Sequence, residues 1–172
     1  DNVAVLNGGW SKWTGEERDI STQAAKSSQK DFILKMRPEV FASKKDVIEA
    51  MDDENICLIN ALDPEEFSGH GTIRYSRPGH IPSSSNVPFM FLVDISNSAF
   101  LDLDTLKKMY QEAGALGKKK VITYCGGAMA ASSGAFLLAL MGIENVALYN
   151  GSLTEWSADP ELPMVVLDEI AC

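Results

Sequence analysis

Histidine and cysteine are scarce in this chain. Its 172 residues include two histidines and three cysteines, and Cys57, Cys125 and Cys172 do not have the close spacing of metal ligands. A zinc site would therefore have almost no side chains from which to draw its ligands, and we expect no metal. An odd number of widely spaced thiols suits a reducing compartment, so we expect a cytoplasmic location.

The chain also lacks a long apolar run and an excess of positive charge. Charged residues interrupt every apolar stretch before it reaches the roughly 18 residues that a membrane helix needs. Lysine and arginine number 15 against 24 aspartates and glutamates, which gives a net charge of −9. Nucleic acids and anionic membranes select basic surfaces, so we expect neither as a partner. A small anionic substrate would need a local cationic pocket.

One stretch organises the rest of the sequence. Residues 121–124 form a run rich in β-branched side chains that ends at Cys125, a small-residue loop follows, and residues 135–141 have helix-forming composition. This order predicts a cysteine at the carboxyl end of a strand, where open α/β sheets bind their ligands. The first N–H groups of the helix would face the sulfur, so we expect a partly ionised, nucleophilic thiol.

The other segments predict strands that alternate with helices. Ser43 and Asp46 resemble a capping box, Asp63 and Pro64 are typical of a helix start, and residues 103–116 have helical spacing up to Gly117. Apolar runs at residues 32–36 and 56–59 favour strands. Together they predict an α/β domain with a mainly parallel sheet.

The sequence also contains an internal echo. Residues 2–14 and 145–157 share Asn, Val, Ala, Asn, Gly and Trp at identical offsets. Each copy predicts a short strand, an Asn-Gly turn and a short helix that carries a tryptophan. We interpret residues 1–14 as the end of a preceding, similar domain of a tandem repeat, residues 15–31 as a linker, and residues 32–172 as the domain that carries Cys125.

Four segments, in this order, resemble the rhodanese (sulfurtransferase) family. They are Asp-Pro-Glu-Glu-Phe-Ser-Gly at 63–69, Gly-His-Ile-Pro at 79–82, the cysteine strand and loop at 121–131, and the Asn-Gly-Ser to Leu-Pro segment at 150–163. The last segment is similar to the second domain of tandem thiosulfate or 3-mercaptopyruvate sulfurtransferases. The resemblance implies a mainly parallel five-stranded sheet with helices on both faces, and a cysteine that cycles between thiolate and persulfide.

The resemblance also implies a site. Cys125 would carry the sulfur, and the loop that follows would cradle it through Gly126, Gly127, Ala128, Met129 and Ala130. Backbone N–H groups of such a loop can hold a terminal sulfur; the two glycines permit positive φ, and Met129 would cover the sulfur from water. Many family members have arginine just after the cysteine, and this loop has no cation. Arg74 and Arg77 are therefore the nearest candidates to hold an anionic sulfur donor.

Two functions follow from this interpretation. The first is a sulfurtransferase that takes sulfur from thiosulfate or a mercapto-acid and passes it to cyanide, a small thiol or a protein dithiol, without a metal or organic cofactor. The alternative is a rhodanese-like sulfur-relay or binding module with negligible activity on small donors. Phosphatase chemistry would need arginine six residues after the cysteine, where this chain has Ala131.

Two further residues are expected to have structural roles. Cys57 lies inside an apolar run and is expected to belong to the core, and His80 is expected to be a structural histidine rather than a general base.

Overall fold

A five-stranded sheet lies at the centre of the protein in a computed structural model that describes residues 3–25, 31 and 33–168. The strands run in the spatial order β1-β5-β4-β2-β3, and every neighbouring pair is parallel. They are β1 (Phe41–Ala42), β2 (Ile56–Asn60), β3 (Ser84–Asn86), β4 (Lys120–Tyr124) and β5 (Val146–Tyr149). The cysteine strand, β4, is the middle strand of the sheet.

Helices connect the strands and cover the sheet. They are α1 (Gly9–Gly15), α2 (Lys44–Ala50), α3 (Pro64–Ser68), α4 (Leu103–Glu112), α5 (Met129–Leu140) and α6 (Ser152–Trp156), with 3₁₀ turns at Pro38–Val40 and Phe89–Leu92. The capping box at the start of α2 and the Asp63 cap of α3 form as predicted. Helix α4 ends at Glu112, earlier than predicted, because Gly114 takes a φ of 76° and turns the chain.

Two hydrophobic cores lie on opposite faces of the sheet. Ile122 of β4 packs in one core with side chains of α2 and α6. Val121 packs in the other core with side chains of α4 and α5. Successive residues of a strand point to opposite faces, so β4, which is buried from Val121 to Tyr124, serves both cores. The predicted α/β fold with a parallel sheet between helices is confirmed.

The predicted strand at residues 32–36 is wrong where the structure describes it. Ile33, Leu34 and Met36 are exposed and outside any strand, while Phe32 lies outside the described residues. The first strand begins at Phe41, because that segment lies alongside β5 and can share its hydrogen bonds.

The first copy of the echo forms its helix but not its strand. Helix α1 follows the Asn7-Gly8 turn as predicted, whereas residues 3–6 are exposed and pair with no strand of the described chain. The Asn7 side chain accepts a hydrogen bond of 2.8 Å from the Phe100 N–H and holds this segment beside α4 and α5. Without a neighbouring strand, the apolar run alone does not become a strand.

Within the described residues, none of the helices has the length and apolar character required to cross a membrane.

Candidate active site

Cys125 follows directly on the last residue of β4, at the carboxyl end of the sheet. Only 2% of the residue is exposed. A loop of three residues then leads to Met129, where α5 begins. The strand, the loop and the helix therefore lie in the predicted order. They place the thiol between the carboxyl end of β4 and the start of α5.

The start of α6 fixes the conformation of this loop. Ser152 Oγ accepts hydrogen bonds of 3.2 Å from the N–H groups of Cys125 and Ala128, and donates one of 2.9 Å to the Tyr149 carbonyl. The N–H of Leu153 donates to the Cys125 carbonyl, and Thr154 donates to the Gly126 carbonyl through both its N–H and its hydroxyl. Backbone and side-chain bonds from β5 and α6 thus position the loop.

The positive φ that the two glycines were expected to supply lies at another residue. Ala128 takes a φ of 70°, whereas neither Gly126 nor Gly127 is in the left-handed region. Gly126 is required for space: a Cβ there would lie 1.7 Å from Tyr75 Oη. A Cβ on Gly127 would meet nothing closer than Thr154 Oγ1 at 3.9 Å. The two glycines therefore have different roles.

The loop offers unused hydrogen-bond donors. The N–H groups of Gly126, Gly127, Met129 and Ala130 donate to no acceptor in the part of the chain that the structure describes. The residues that carry them line an open cleft of about 540 Å³ in front of Cys125. Several unpaired N–H groups on one short loop favour a negatively charged atom close to the cysteine.

We call this cavity the Cys125 cleft. Its lining combines the cysteine loop with apolar side chains and one pair of opposite charges, and consists of Leu62, Glu66, Arg74, Tyr75, Phe89, Cys125, Gly126, Gly127, Met129, Ala130 and Ser133. Glu66 Oε1 lies 3.1 Å from Arg74 Nε. Burial and the Glu66 carboxylate raise the pKa of Tyr75 above its ordinary value, with a smaller contribution from Cys125. The tyrosine is therefore a neutral hydrogen-bond donor at neutral pH.

The structure brings most of the predicted site residues together. Gly126, Gly127, Met129, Ala130 and Arg74 line the Cys125 cleft with the thiol, while Ala128 is buried and does not line it. The side chain of Met129 is at the rim, since 86% of the residue is exposed, and it does not cover the sulfur as expected.

Arg77 is not brought to the cleft. Its guanidinium donates to the carbonyls of Ser157, Leu162, Asp159 and Trp156 at distances of 2.6 to 3.3 Å. These bonds stabilise the turn after α6 and use four of the five N–H donors that could otherwise hold an anion. The expected substrate contact at Arg77 is thus replaced by a structural role.

Sequence reasoning missed two polar residues of the cleft. In the sequence, Glu66 belongs to the segment that resembles the family at 63–69, and Tyr75 is part of no motif. Both line the cleft only because α3 and the loop after it lie over the end of β4, which is a long-range contact. The small residue at position 126 was the one sequence signal that a bulky neighbour lay close by.

The other two candidates are structural, as expected. His80 Nδ1 donates to the Phe67 carbonyl at 2.7 Å, the two rings stack 3.7 Å apart, and burial lowers the pKa of His80. Cys57 is buried in the core on the α4 side of the sheet, and burial raises the pKa of its thiol. Neither residue lines the Cys125 cleft.

The fold and the site define a class: a parallel α/β domain whose central strand presents a cysteine to a loop of backbone donors. The sequence profile described as "Rhodanese-like domain" matches residues 43–159. The chain belongs to the rhodanese family.

Three similar proteins illustrate the relationship. Thiosulfate/3-mercaptopyruvate sulfurtransferase 2 of Arabidopsis thaliana is 29% identical over 96% of this chain and 55% of its own length. Sulfur carrier protein TtuD of Thermus thermophilus is 29% identical over 90% of this chain and 58% of its own. The third is a structure of an EanB variant with a cysteine persulfide, in a tetrahedral intermediate state with ergothioneine. Its sequence identity with this chain is 25% and the TM-score is 0.87, and the match covers 98% of this chain and 42% of that one. The chain spans little more than half the length of the curated relatives it matches.

Proposed function

We propose that this domain is a sulfurtransferase that carries sulfur as a persulfide on Cys125. The observation that carries the proposal is the position of this thiol at the end of β4, inside a cleft lined by four residues whose backbone N–H groups have no acceptor among the described residues. The second described cysteine, Cys57, lies in the core and has no access to the cleft.

The first half-reaction loads the cysteine. The Cys125 thiolate attacks the outer sulfur of thiosulfate, a new S–S bond forms, the old one breaks, and its electron pair leaves with sulfite. With 3-mercaptopyruvate, the C–S bond breaks instead, and its electron pair stays on carbon, which takes up the thiol proton to give pyruvate. In both cases the persulfide on Cys125 ends with one negative charge.

The second half-reaction unloads it. Cyanide or a thiolate attacks the terminal sulfur, the S–S bond of the persulfide breaks, and Cys125 recovers its thiolate. The N–H groups of the loop favour the terminal sulfur because the hydrogen bonds from Ser152, Leu153 and Thr154 fix the loop that carries them. Loading and unloading are separate steps, so the steady-state kinetics should have ping-pong form.

Intact-protein mass spectrometry tests the proposal. Treatment with thiosulfate or 3-mercaptopyruvate should add one sulfur atom, fragmentation should place it on Cys125, and cyanide should remove it as thiocyanate. Cys125→Ser should abolish the adduct, whereas the matched variant Cys57→Ala should keep it. No adduct with either donor would sink the proposal.

A sulfur-relay role is the second candidate. Phe89 and Met129 give the cleft an apolar rim, with 43% and 86% of each residue exposed, which suits a protein surface better than a small ion. One relative is itself named a sulfur carrier protein. The loaded domain should then release its sulfur to a reduced protein dithiol much faster than to cyanide; equal rates would favour the enzyme.

We also propose a cytoplasmic location and a preceding rhodanese-like domain as the neighbour of this one. Two free thiols suit a reducing compartment. The two copies of the echo share a turn, a short helix and a positive φ at equivalent positions, 56° at Gly9 and 49° at Ser152. Turnover by this chain, compared with that of a chain in which a complete rhodanese-like domain is joined upstream, tests whether such a neighbour completes the cleft.

A further inference from the structure

Charge in the Cys125 cleft is limited to one pair. Glu66 and Arg74 are the charged side chains among its lining residues, and they lie 3.1 Å apart. The Glu66 side chain is 18% exposed, whereas that of Arg74 is 68% exposed. Glu66 Oε1 is buried and has no hydrogen-bond partner in the described chain, so its interaction is the ion pair with Arg74. The carboxylate thus lies deeper in the protein than the cation that it neutralises.

A bound donor meets this pair and the thiolate at the same time. The positive charge of Arg74 is offset by Glu66, so the lining offers no net positive charge to the donor. Thiosulfate enters with two negative charges and leaves as doubly charged sulfite, beside a persulfide that carries a third. A mercapto-carboxylate brings one charge, on the far side of the molecule from its sulfur. Repulsion between the poorly hydrated Glu66 carboxylate and a donor grows with the charge of the donor. It therefore weakens the binding of thiosulfate more than that of a mercapto-carboxylate.

We propose that Glu66 is a specificity-determining residue that makes this domain prefer singly charged mercapto-carboxylates to the thiosulfate dianion. This inference rests on the proposed sulfurtransferase function. Glu66 touches no reacting atom; it acts through the charge of Arg74 and through its own field. Burial and then the Glu66 carboxylate raise the pKa of Tyr75, whose hydroxyl lies next to Gly126.

The test compares two donors across a set of charge variants. Initial rates of sulfur loading on Cys125 are measured by mass spectrometry, at several donor concentrations, for thiosulfate and 3-mercaptopyruvate. Glu66→Gln keeps the shape of the side chain and frees Arg74. Glu65→Gln is the matched control, because it removes the same charge from the same helix at an exposed position that does not line the cleft. Thermal unfolding verifies that each variant is folded.

Glu66→Gln should raise the efficiency of thiosulfate relative to 3-mercaptopyruvate by about tenfold, the order expected for one unit charge a few ångströms away in partly hydrated surroundings. The gain should come largely from a lower thiosulfate concentration at half-maximal rate. Glu65→Gln should leave the ratio within about twofold of the unmodified chain, since water and salt screen an exposed charge.

Two further variants keep the test decisive if Glu66→Gln folds poorly. Arg74→Gln leaves Glu66 unopposed and should lower the ratio, whereas the double variant Glu66→Gln/Arg74→Gln restores a neutral pair and should return the ratio toward its original value. A ratio that does not respond to position 66, in a chain that still loads Cys125, overturns this inference and leaves the proposed function standing. Failure of every variant to load from either donor overturns both.

Discussion

The ring of Tyr75 lies directly against Gly126, next to the cysteine. A Cβ at position 126 would lie 1.7 Å from Tyr75 Oη and 2.3 Å from Tyr75 Cζ, so any side chain there requires the ring to move. This contact gives a physical reason for glycine at the place where many rhodaneses have arginine. The tyrosine hydroxyl takes the position that a side chain at 126 would need, and the loop contributes no cation to the cleft.

Gly126→Ala should therefore slow sulfur loading on Cys125 and lower the free energy of unfolding by about 1–3 kcal/mol, the usual cost of overpacking. Gly127→Ala is the control and should change both little, because its Cβ has free space. Loading rates and chemical denaturation measure the two effects.

The clash also predicts which second change relieves it. Tyr75→Ala should restore part of the stability of Gly126→Ala, whereas Tyr75→Phe should not, because ring carbons as well as the hydroxyl lie within 2.7 Å of the added Cβ. Equal rescue by both changes would contradict the steric account.

His80 gives the stability of the fold a dependence on pH. Burial lowers its pKa from the ordinary value of 6.5, so the unfolded chain binds its proton at a higher pH than the folded one does. Stability is then full above about pH 6.5 and falls as the pH decreases through that value, by at most about 1.4 kcal/mol per pH unit.

Denaturation between pH 5 and pH 7 measures this dependence. His80→Asn should be less stable at pH 7, since it loses the stacking on Phe67, but its stability should fall less between pH 7 and pH 5. An unchanged slope in His80→Asn would assign the pH dependence to other groups.

At the scale of elements, α6 matters because its first residues hold the cysteine loop. Ser152 is fully buried, and its hydroxyl joins three backbone groups of the loop and of β5. Ser152→Ala leaves two buried N–H groups unpaired. Each unpaired group should lower the free energy of unfolding by about 1–3 kcal/mol. The Cys125 loop should loosen, so sulfur loading should slow as well.

A redundant bond in the same turn provides the comparison. Thr154→Val removes the hydroxyl that donates to the Gly126 carbonyl but leaves the Thr154 N–H bonded to it. Its effects on the melting temperature and on loading should be small beside those of Ser152→Ala. Similar effects from both variants would show that the loop does not depend on Ser152.

The elements that the sequence predicted well are those set by local chemistry. The run at 121–124 is apolar enough for a buried strand, Ser43 and Asp46 cap their own helix, and Asp63 caps the next one. Elements that need a distant partner were predicted less well: residues 33–36 and 3–6 are apolar, yet no strand of the described chain lies beside them.

The same distinction holds in the site. The local order of strand, small-residue loop and helix was sufficient to find Cys125 and its loop. Tyr75 and Glu66 reach the cleft through folding of α3 and the following loop, and Arg77 is turned away by four carbonyls that lie some 80 residues further along. Contacts of this kind depend on the assembled sheet and leave no local pattern.

At the scale of the whole molecule, the net charge of −9 acts on every anionic donor before it reaches the cleft. Because the Cys125 cleft adds no net positive charge to oppose it, association of thiosulfate should be slowed at low ionic strength and recover as salt screens the field, with a Debye length near 10 Å at about 0.1 M. The loading rate constant for thiosulfate should therefore rise by a factor of a few between about 10 and 200 mM salt. An uncharged organic persulfide is the control donor and should show little change. Reactions stopped at set times and analysed by mass spectrometry, at a series of salt concentrations, measure this rate constant. A thiosulfate rate that falls with salt would mean that Arg74 dominates the field despite Glu66.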